Sequence, residues 1–163
     1  MRVLAIDPGP TTCGFVVFDG ERVIDGEPDI ACRDLLALVY EFGPYPRPSM
    51  GVAIEWVSNM GMAVGASVFE TCYWAGRFDE AANETATRIK RIDVKSHICG
   101  NTKAQDKHIR AALIDRFGGI EGKAKAVGTK KSPGPLYGVR THMWAALAVA
   151  VTYHDMHQAR NAA

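Results

Sequence analysis

The chain opens on three short blocks in which apolar residues dominate or alternate. Residues 2–7 (RVLAID) form an apolar run that ends in an acid, and Pro8-Gly9-Pro10 turns the chain directly after it. Residues 13–19 (CGFVVFD) read as a second strand, Asp19-Gly20 is a tight-hairpin signal, and residues 22–27 supply a third strand. An antiparallel meander therefore begins the fold. The period then changes. Leu35, Leu36, Leu38, Val39 and Phe42 recur at helical spacing over residues 31–43, and Gly43-Pro44 ends that helix. A proline-rich loop from Tyr45 to Pro48 leads into residues 51–56 (GVAIEW), a short apolar strand with an acid near its end.

Residues 61–82 predict a long helix. Its first turns hold Gly61, Ala63, Gly65 and Ala66, small residues that let another backbone or a ligand come close. Residues 87–94 (TRIKRIDV) alternate and read as a strand. Residues 103–117 predict an amphipathic helix with Ala104, His108 or Ile109, Ala112, Leu113 and Phe117 toward one side, stopped by Gly118-Gly119. Residues 120–138 are rich in Gly, Lys and Pro, lack periodicity and read as a mobile surface loop. Residues 139–158, dominated by Ala and Val, predict a last helix. The order β-β-β-α-β-α-β-α-α specifies an α/β fold. Its mixed five-stranded sheet, an antiparallel meander followed by parallel strands, is flanked by helices in a single domain over residues 1–163.

Composition excludes some classes. At 47% hydrophobic residues the chain carries enough apolar surface for a core. No apolar run approaches the roughly 20 residues of a membrane helix, and Met1-Arg2 lead straight into a strand-like run without signal-peptide architecture, so a cytoplasmic protein is expected. Cys13, Cys32, Cys72 and Cys99 have neither CxxC nor zinc-like spacing and are expected to be reduced and mostly buried. Charge is unevenly spread: residues 1–85 hold 5 Lys/Arg against 13 Asp/Glu, and residues 86–163 hold 14 against 5. Carboxylates suit metal ions and cations suit a polyanion, so this division fits a nuclease if it persists in space.

Three residues carry the candidate chemistry. Asp7 ends a buried strand, which points its carboxylate off the sheet edge; an Asp-Pro-Gly sequence also initiates turns, which is the structural alternative. Glu55 lies in the apolar run Val52-Ala53-Ile54-Glu55-Trp56, where a charge is costly unless paired or metal-bound; a solvent-facing Glu on an edge strand is its alternative. If the two strands are adjacent and parallel, these acids converge as hard oxygen ligands for Mg²⁺ or Mn²⁺. His142, at the start of the last helix, either reaches the same site or serves as a hydrogen-bonded structural residue.

These segments resemble a known family. "LAIDPGPTTCGFVVFDG" looks like the opening strand-turn-strand of RuvC-like Holliday-junction resolvases, and "GVAIEWVSNMGMAVGASVFETCYWAGRF" resembles their second segment. "IDVKSHICGNTKAQDKHIRAALIDRFGG" and "GVRTHMWAALAVAVTYHD" resemble the next strand-helix unit and the last helix. The match runs in order over nearly the whole chain, most specifically at its two ends. The resemblance implies a ribonuclease H-like fold, a homodimer, and divalent-metal-dependent hydrolysis of four-way DNA junctions in recombination and repair. It also points to a bacteriophage-type relative.

Carried over by position, the resemblance makes Asp7, Glu55 and His142 the metal-binding and catalytic set, with two Mg²⁺ or Mn²⁺ ions per site and Asp7 bridging them. Ala145 departs from the pattern, because a second polar ligand is expected three residues after His142. Asp106 or Asp155 replaces it, His142 suffices, or the protein binds junctions with weak or no cleavage. DNA contacts are expected from Lys103, Lys107, Arg110, Lys123, Lys125, Lys130, Lys131 and Arg140. A junction-wedging side chain is expected in 56–60, and a dimer surface on 61–82 through Phe69, Tyr73 and Trp74, which core packing would also explain. Other branched DNA or RNA–DNA hybrids remain alternative substrates. "DPGPTTCG" also resembles the phosphate hairpin of actin-like ATPases, but those need two related lobes and 163 residues supply one.

Overall fold

The computed structural model describes residues 1–42, 50–58, 61 and 63–162. The proline-rich loop expected at 45–48, and residues 59 and 60 of the expected wedge, lie outside them. Five strands form one sheet: β1 (Arg2–Asp7), β2 (Thr12–Phe18), β3 (Val23–Ala31), β4 (Met50–Trp56) and β5 (Thr87–Lys90). Their order is β3-β2-β1-β4-β5. The β1–β2 and β2–β3 pairs are antiparallel and the β1–β4 and β4–β5 pairs are parallel, as the alternation of the sequence requires.

Each strand sends alternate side chains to opposite faces, and each face has its own helices. On one, Leu4, Ile6, Phe15, Val17 and Ile54 pack with α1 (Cys32–Phe42) and α2 (Ala66–Ala81). On the other, Val3, Ala5, Val16, Phe18, Ala53 and Ile89 pack with α4 (Asp106–Gly118) and α6 (Met143–Asn161). The buried run from Met143 to His154, interrupted only by half-buried Ala145 at the cleft, explains the Ala/Val richness of α6: this helix crosses β1, β2 and β4 and is covered on nearly all sides. Among the described residues no helix is long and apolar enough to cross a membrane.

Two segments differ from the sequence-based expectation. The strand expected over 87–94 stops at Lys90, and α3 (Arg91–Cys99) begins at once. The run TRIKRIDV alternates, but Val94 and Ile98 also lie four apart, and Val94 is buried as part of a helical face. Gly100, at φ 62°, closes that helix. Residues 120–138 are not an aperiodic loop. They contain a 3₁₀ turn (Gly119–Glu121), the short helix α5 (Lys123–Ala126) and an antiparallel bridge between Gly128 and Pro133. Leu136 donates to the Ala126 carbonyl at 2.7 Å and Val23 to Pro135 at 2.9 Å, while Ala126, Leu136 and Val139 are buried. The helix expected from 61 begins at Ala66, and the one expected from 139 begins at Met143.

Candidate active site

The site forms where the parallel strands end. Ile6 of β1 is level with Ile54 of β4, so Asp7 and Glu55 are the next residues on adjacent strands. Both have the parity of Ala5 and Ala53, which face α6. Their carboxylates therefore emerge on one side of the sheet, beyond its core, at the C-terminal ends of β1 and β4. Asp7 is also level with Gly14 of β2. A side chain at Gly14 would meet the backbone carbonyl carbon and Cβ of His142 at 2.7 Å. The absence of a side chain there lets the start of α6 lie directly on β2 and brings His142 to Asp7.

Asp7, Glu55, Arg91, Asp106, His142 and Ala145 all border one cleft of ≈ 590 Å³. A second cavity of ≈ 320 Å³ shares Asp7, Glu55 and Arg91 and extends to Trp56, Thr71 and Lys95. His142 Nδ1 lies 3.4 Å from Asp7 Oδ2, and its Nε2 lies 3.8 Å from Asp29 Oδ1. The imidazole is 62% exposed, so it opens onto the cleft instead of lying in the core. Arg91 Nη1 donates to Glu55 Oε2 at 3.0 Å and Nη2 donates to Asp106.

Burial dominates the electrostatics. The Glu55 carboxyl is pushed up to about 7, by desolvation first and by the neighbouring Asp7 second, with Arg91 pulling the other way. Asp7 is also raised by burial, against the opposing charges of His142 and Arg91. Burial opposes the charge on Arg91, but Glu55 and Asp106 outweigh it and strengthen its hold on the proton. Two half-buried carboxylates on adjacent strands are hard oxygen donors whose ionisation a divalent cation would favour, so the donor chemistry fits Mg²⁺ or Mn²⁺. Among the described residues, however, no three His, Cys, Asp or Glu side chains converge closely enough, as placed, to hold one ion. The Arg91 guanidinium stands between Glu55 and Asp106 instead.

The turn that carries Asp7 is held from behind. The Cys32 N–H donates to the Thr11 carbonyl at 3.1 Å, its thiol lies 3.5 Å from the Gly9 carbonyl, and Cys13 and Cys32 place their sulfurs 3.0 Å apart. All four cysteines are free; Cys13 and Cys32 are buried, whereas Cys72 is exposed and Cys99 half-buried, so the expectation of mostly buried thiols holds for one pair.

The expected DNA-contacting residues are all exposed, but in different places. Lys103 and Lys107 flank Asp106 beside the cleft, in a hollow shared with Lys95. Arg110 lies over the ring of Trp144, a cleft residue, at 4.9 Å, and Arg140 precedes His142 by two residues. Lys123, Lys125, Lys130 and Lys131 lie on α5 and the turn after it, outside the cleft lining, with Lys125 3.6 Å from Glu121. Asp155, considered as a substitute acid, is held by Arg116 and His97 away from the cleft lining. Phe69 and Tyr73 of α2 are 66% and 56% exposed, while Trp74 is half-buried against Phe78.

Sequence reasoning did not single out Arg91, Lys95 or Asp29. The strand-end logic that identified Asp7 and Glu55 would have found Arg91, had β5 been ended at Lys90. Asp29, on the edge strand β3, carried no comparable signal.

No protein-family model and no curated protein matches this sequence. Solved structures do. A Thermus thermophilus RuvC structure aligns over 98% of this chain and 97% of its own, with TM-score 0.64 and 23% identity. The structure of T. thermophilus RuvC in complex with Holliday junction substrate aligns over 96% of each chain, with TM-score 0.63 and 22% identity. The likeness is one of fold, and it identifies the mixed five-stranded sheet and its flanking helices as the RuvC type of ribonuclease H-like architecture.

Proposed function

We propose that this chain is a divalent-metal-dependent endonuclease that cuts branched DNA, four-way junctions above all, by phosphodiester hydrolysis. The observation that carries this reading is the pair Asp7 and Glu55, half-buried on adjacent parallel strands at the ends that open onto one cleft. The RuvC-type fold around them, and the Holliday junction substrate bound by one structure of that fold, support the choice of DNA. Bound divalent ions would supply charge neutralisation and activation of water. Asp7 and Glu55 would hold those ions. His142 faces Asp7 with one ring nitrogen and Asp29 with the other, so it can hold a proton between two carboxylates or offer a nitrogen ligand. Lys103, Lys107, Arg110 and Arg140 would bind phosphates at the rim, and Lys123, Lys125, Lys130 and Lys131 those of DNA extending beyond it.

A four-way junction has two-fold pseudo-symmetry, which suits a homodimer. Phe69 and Tyr73, exposed on α2, are the surface through which two copies would pair.

Cleavage of a synthetic four-way junction with Mg²⁺ or Mn²⁺ tests the reading. Asp7→Asn should abolish cutting and retain junction binding; cutting at the parental rate would refute the site. Ala145, which faces the cleft with no donor, favours a second reading, a junction-binding protein with weak or no cleavage. Tight binding without cutting by the wild-type chain in either metal would select it. Preferential cutting of flaps, forks or RNA–DNA hybrids would instead reassign the substrate.

A further inference from the structure

Asp106 is the third carboxylate that borders the cleft, and one of the two acids that could stand in for the ligand missing at Ala145. It sits in the first turn of α4, whose start is closed by a hydrogen bond from the Gln105 N–H to His108 Nδ1 at 3.1 Å. Its side chain is 83% exposed, and the polar contact that binds it is Arg91. Arg91 in turn reaches Glu55 at 3.0 Å, so one guanidinium joins a carboxylate from the end of β4 to one from the start of α4. Asp7 and Glu55 are anchored on strands; Asp106 sits on a helix end, open to solvent and held by Arg91.

Charge balance gives this link a meaning. Asp7, Glu55 and Asp106 border the cleft, where Arg91 is the one Lys or Arg of the lining among the described residues, with Lys95, Lys103 and Lys107 in adjoining hollows. Once all three acids are ionised, the lining itself carries two more negative than positive charges before His142 is counted. A guanidinium and a divalent ion compete for the same oxygens. On α6, Ala145 offers the cleft nothing, and Asp155 is committed to Arg116 and His97. Asp106 is therefore the third acid that borders the cleft, and it would have to leave Arg91 to complete an oxygen shell.

We propose that Asp106 is a ligand of the metal centre and that Arg91, which joins it to Glu55, is the cation a divalent ion displaces. The proposal rests on the reading of the cleft as a metal site. It gives the two residues opposite signs: loss of Asp106 weakens metal binding, and loss of Arg91 strengthens it.

Calorimetric titration of the full chain with Mn²⁺ alone, without DNA, separates the possibilities. The proteins are the wild type, Asp7→Asn, Asp106→Asn, Arg91→Gln and the double variant Arg91→Gln/Asp106→Asn, each checked for an unchanged fold by circular dichroism. Asp106→Asn should weaken Mn²⁺ binding by about tenfold or more, and Arg91→Gln should tighten it several-fold. The double variant decides between ligand and anchor. If Asp106 binds the ion directly, its removal should still cost about tenfold when Arg91 is already gone. If Asp106 acts only by drawing Arg91 off Glu55, its removal will cost nothing there, and the proposal falls. Weaker binding in Arg91→Gln would also overturn it, by making the arginine a support for Glu55. Binding that needs Asp7 but ignores Asp106 refutes the proposal alone; no Mn²⁺ binding by the wild type refutes the metal centre and the proposal together.

Discussion

Glu55 couples the stability of this chain to the chemistry proposed for it. Its carboxyl is raised from 4.5 to about 7, mainly by burial. The folded chain keeps this proton to higher pH than the unfolded chain does. The stability it contributes is therefore complete below pH 4.5 and is lost as the pH rises through about 7. Glu55→Gln fixes the neutral form. In EDTA the variant should match the wild type near pH 4.5 and exceed it above pH 7, by on the order of 3 kcal/mol. Mn²⁺ should close that gap by stabilising the wild type alone at high pH. Denaturant unfolding at several pH values, with and without Mn²⁺, reads both effects. Parallel stability curves for the two proteins would show that Glu55 is not strained by its surroundings.

Two contacts set the position of α6. The first is the close approach at Gly14, where an added Cβ would lie 2.7 Å from His142 backbone and Cβ atoms. Backbone yields little, so Gly14→Ala should destabilise by about 1–3 kcal/mol and move His142 off Asp7. Gly76, on the exposed face of α2, has nothing within 4 Å of its missing Cβ. There the same substitution should stabilise by roughly 0.5–1 kcal/mol, which makes it the control. Thermal unfolding of both variants, with cleavage assayed below the transition, tests the contrast. The second contact is Asp155, which accepts from Arg116 at 2.6 and 2.7 Å and meets His97 Nε2 at 2.7 Å, joining α6 to α4 and α3. Burial opposes its ionisation, but the hydrogen bonds from Arg116 and then His97 outweigh it and hold its carboxyl below the usual range. Its stabilisation is therefore present above pH 3.8 and is lost as the pH falls through the lower folded value. Asp155→Asn should cost roughly 1 kcal/mol at neutral pH after solvent screening, and the deficit should shrink in acid. A deficit that grows there would contradict the ion-pair account.

The same elements show what local pattern reveals. The strands bearing Asp7 and Glu55 are legible because each is an apolar run with an acid at or next to its end. The β5–α3 boundary is not, because TRIKRIDV satisfies both periods; with it goes Arg91, which exists as a site residue only through where that boundary falls. Residues 120–138 looked structureless for another reason. What orders them is distant in sequence: the Val23 N–H on the Pro135 carbonyl and the burial of Leu136 and Val139. No window of neighbouring residues contains those partners. Asp106 was visible as a possible substitute acid, but only the fold distinguished it from Asp155.

At the scale of the molecule, the two halves of the chain meet at the cleft, where Arg91 and Asp106 stand beside Asp7 and Glu55. Asp7 and Glu55 come from the ends of β1 and β4, Asp106 from the start of α4, and exposed cations from the turn before α4, from α4 and α5, and from the turns after α5. Two of those cations, Lys103 and Lys107, flank Asp106 beside the cleft, whereas Lys130 and Lys131 lie on the turn after α5, outside its lining. On the reading proposed above, DNA of any shape entering the cleft would meet the first pair, and DNA with a second arm would reach the second. Neutralising Lys103 and Lys107 to Gln should therefore lower the salt slope of binding by roughly 0.9 per lost phosphate contact, on duplex and four-way junction alike. Neutralising Lys130 and Lys131 should lower it on the junction and leave a short duplex unaffected. Fluorescence anisotropy across a salt series, with both DNAs and both double variants, measures all four slopes. Equal losses on duplex and junction for the Lys130/Lys131 variant would mean that the turn binds DNA without regard to branching. Selectivity would then have to come from pairing of two copies through Phe69 and Tyr73, a dimer that replacing both aromatics with Ser should dissociate in sedimentation analysis.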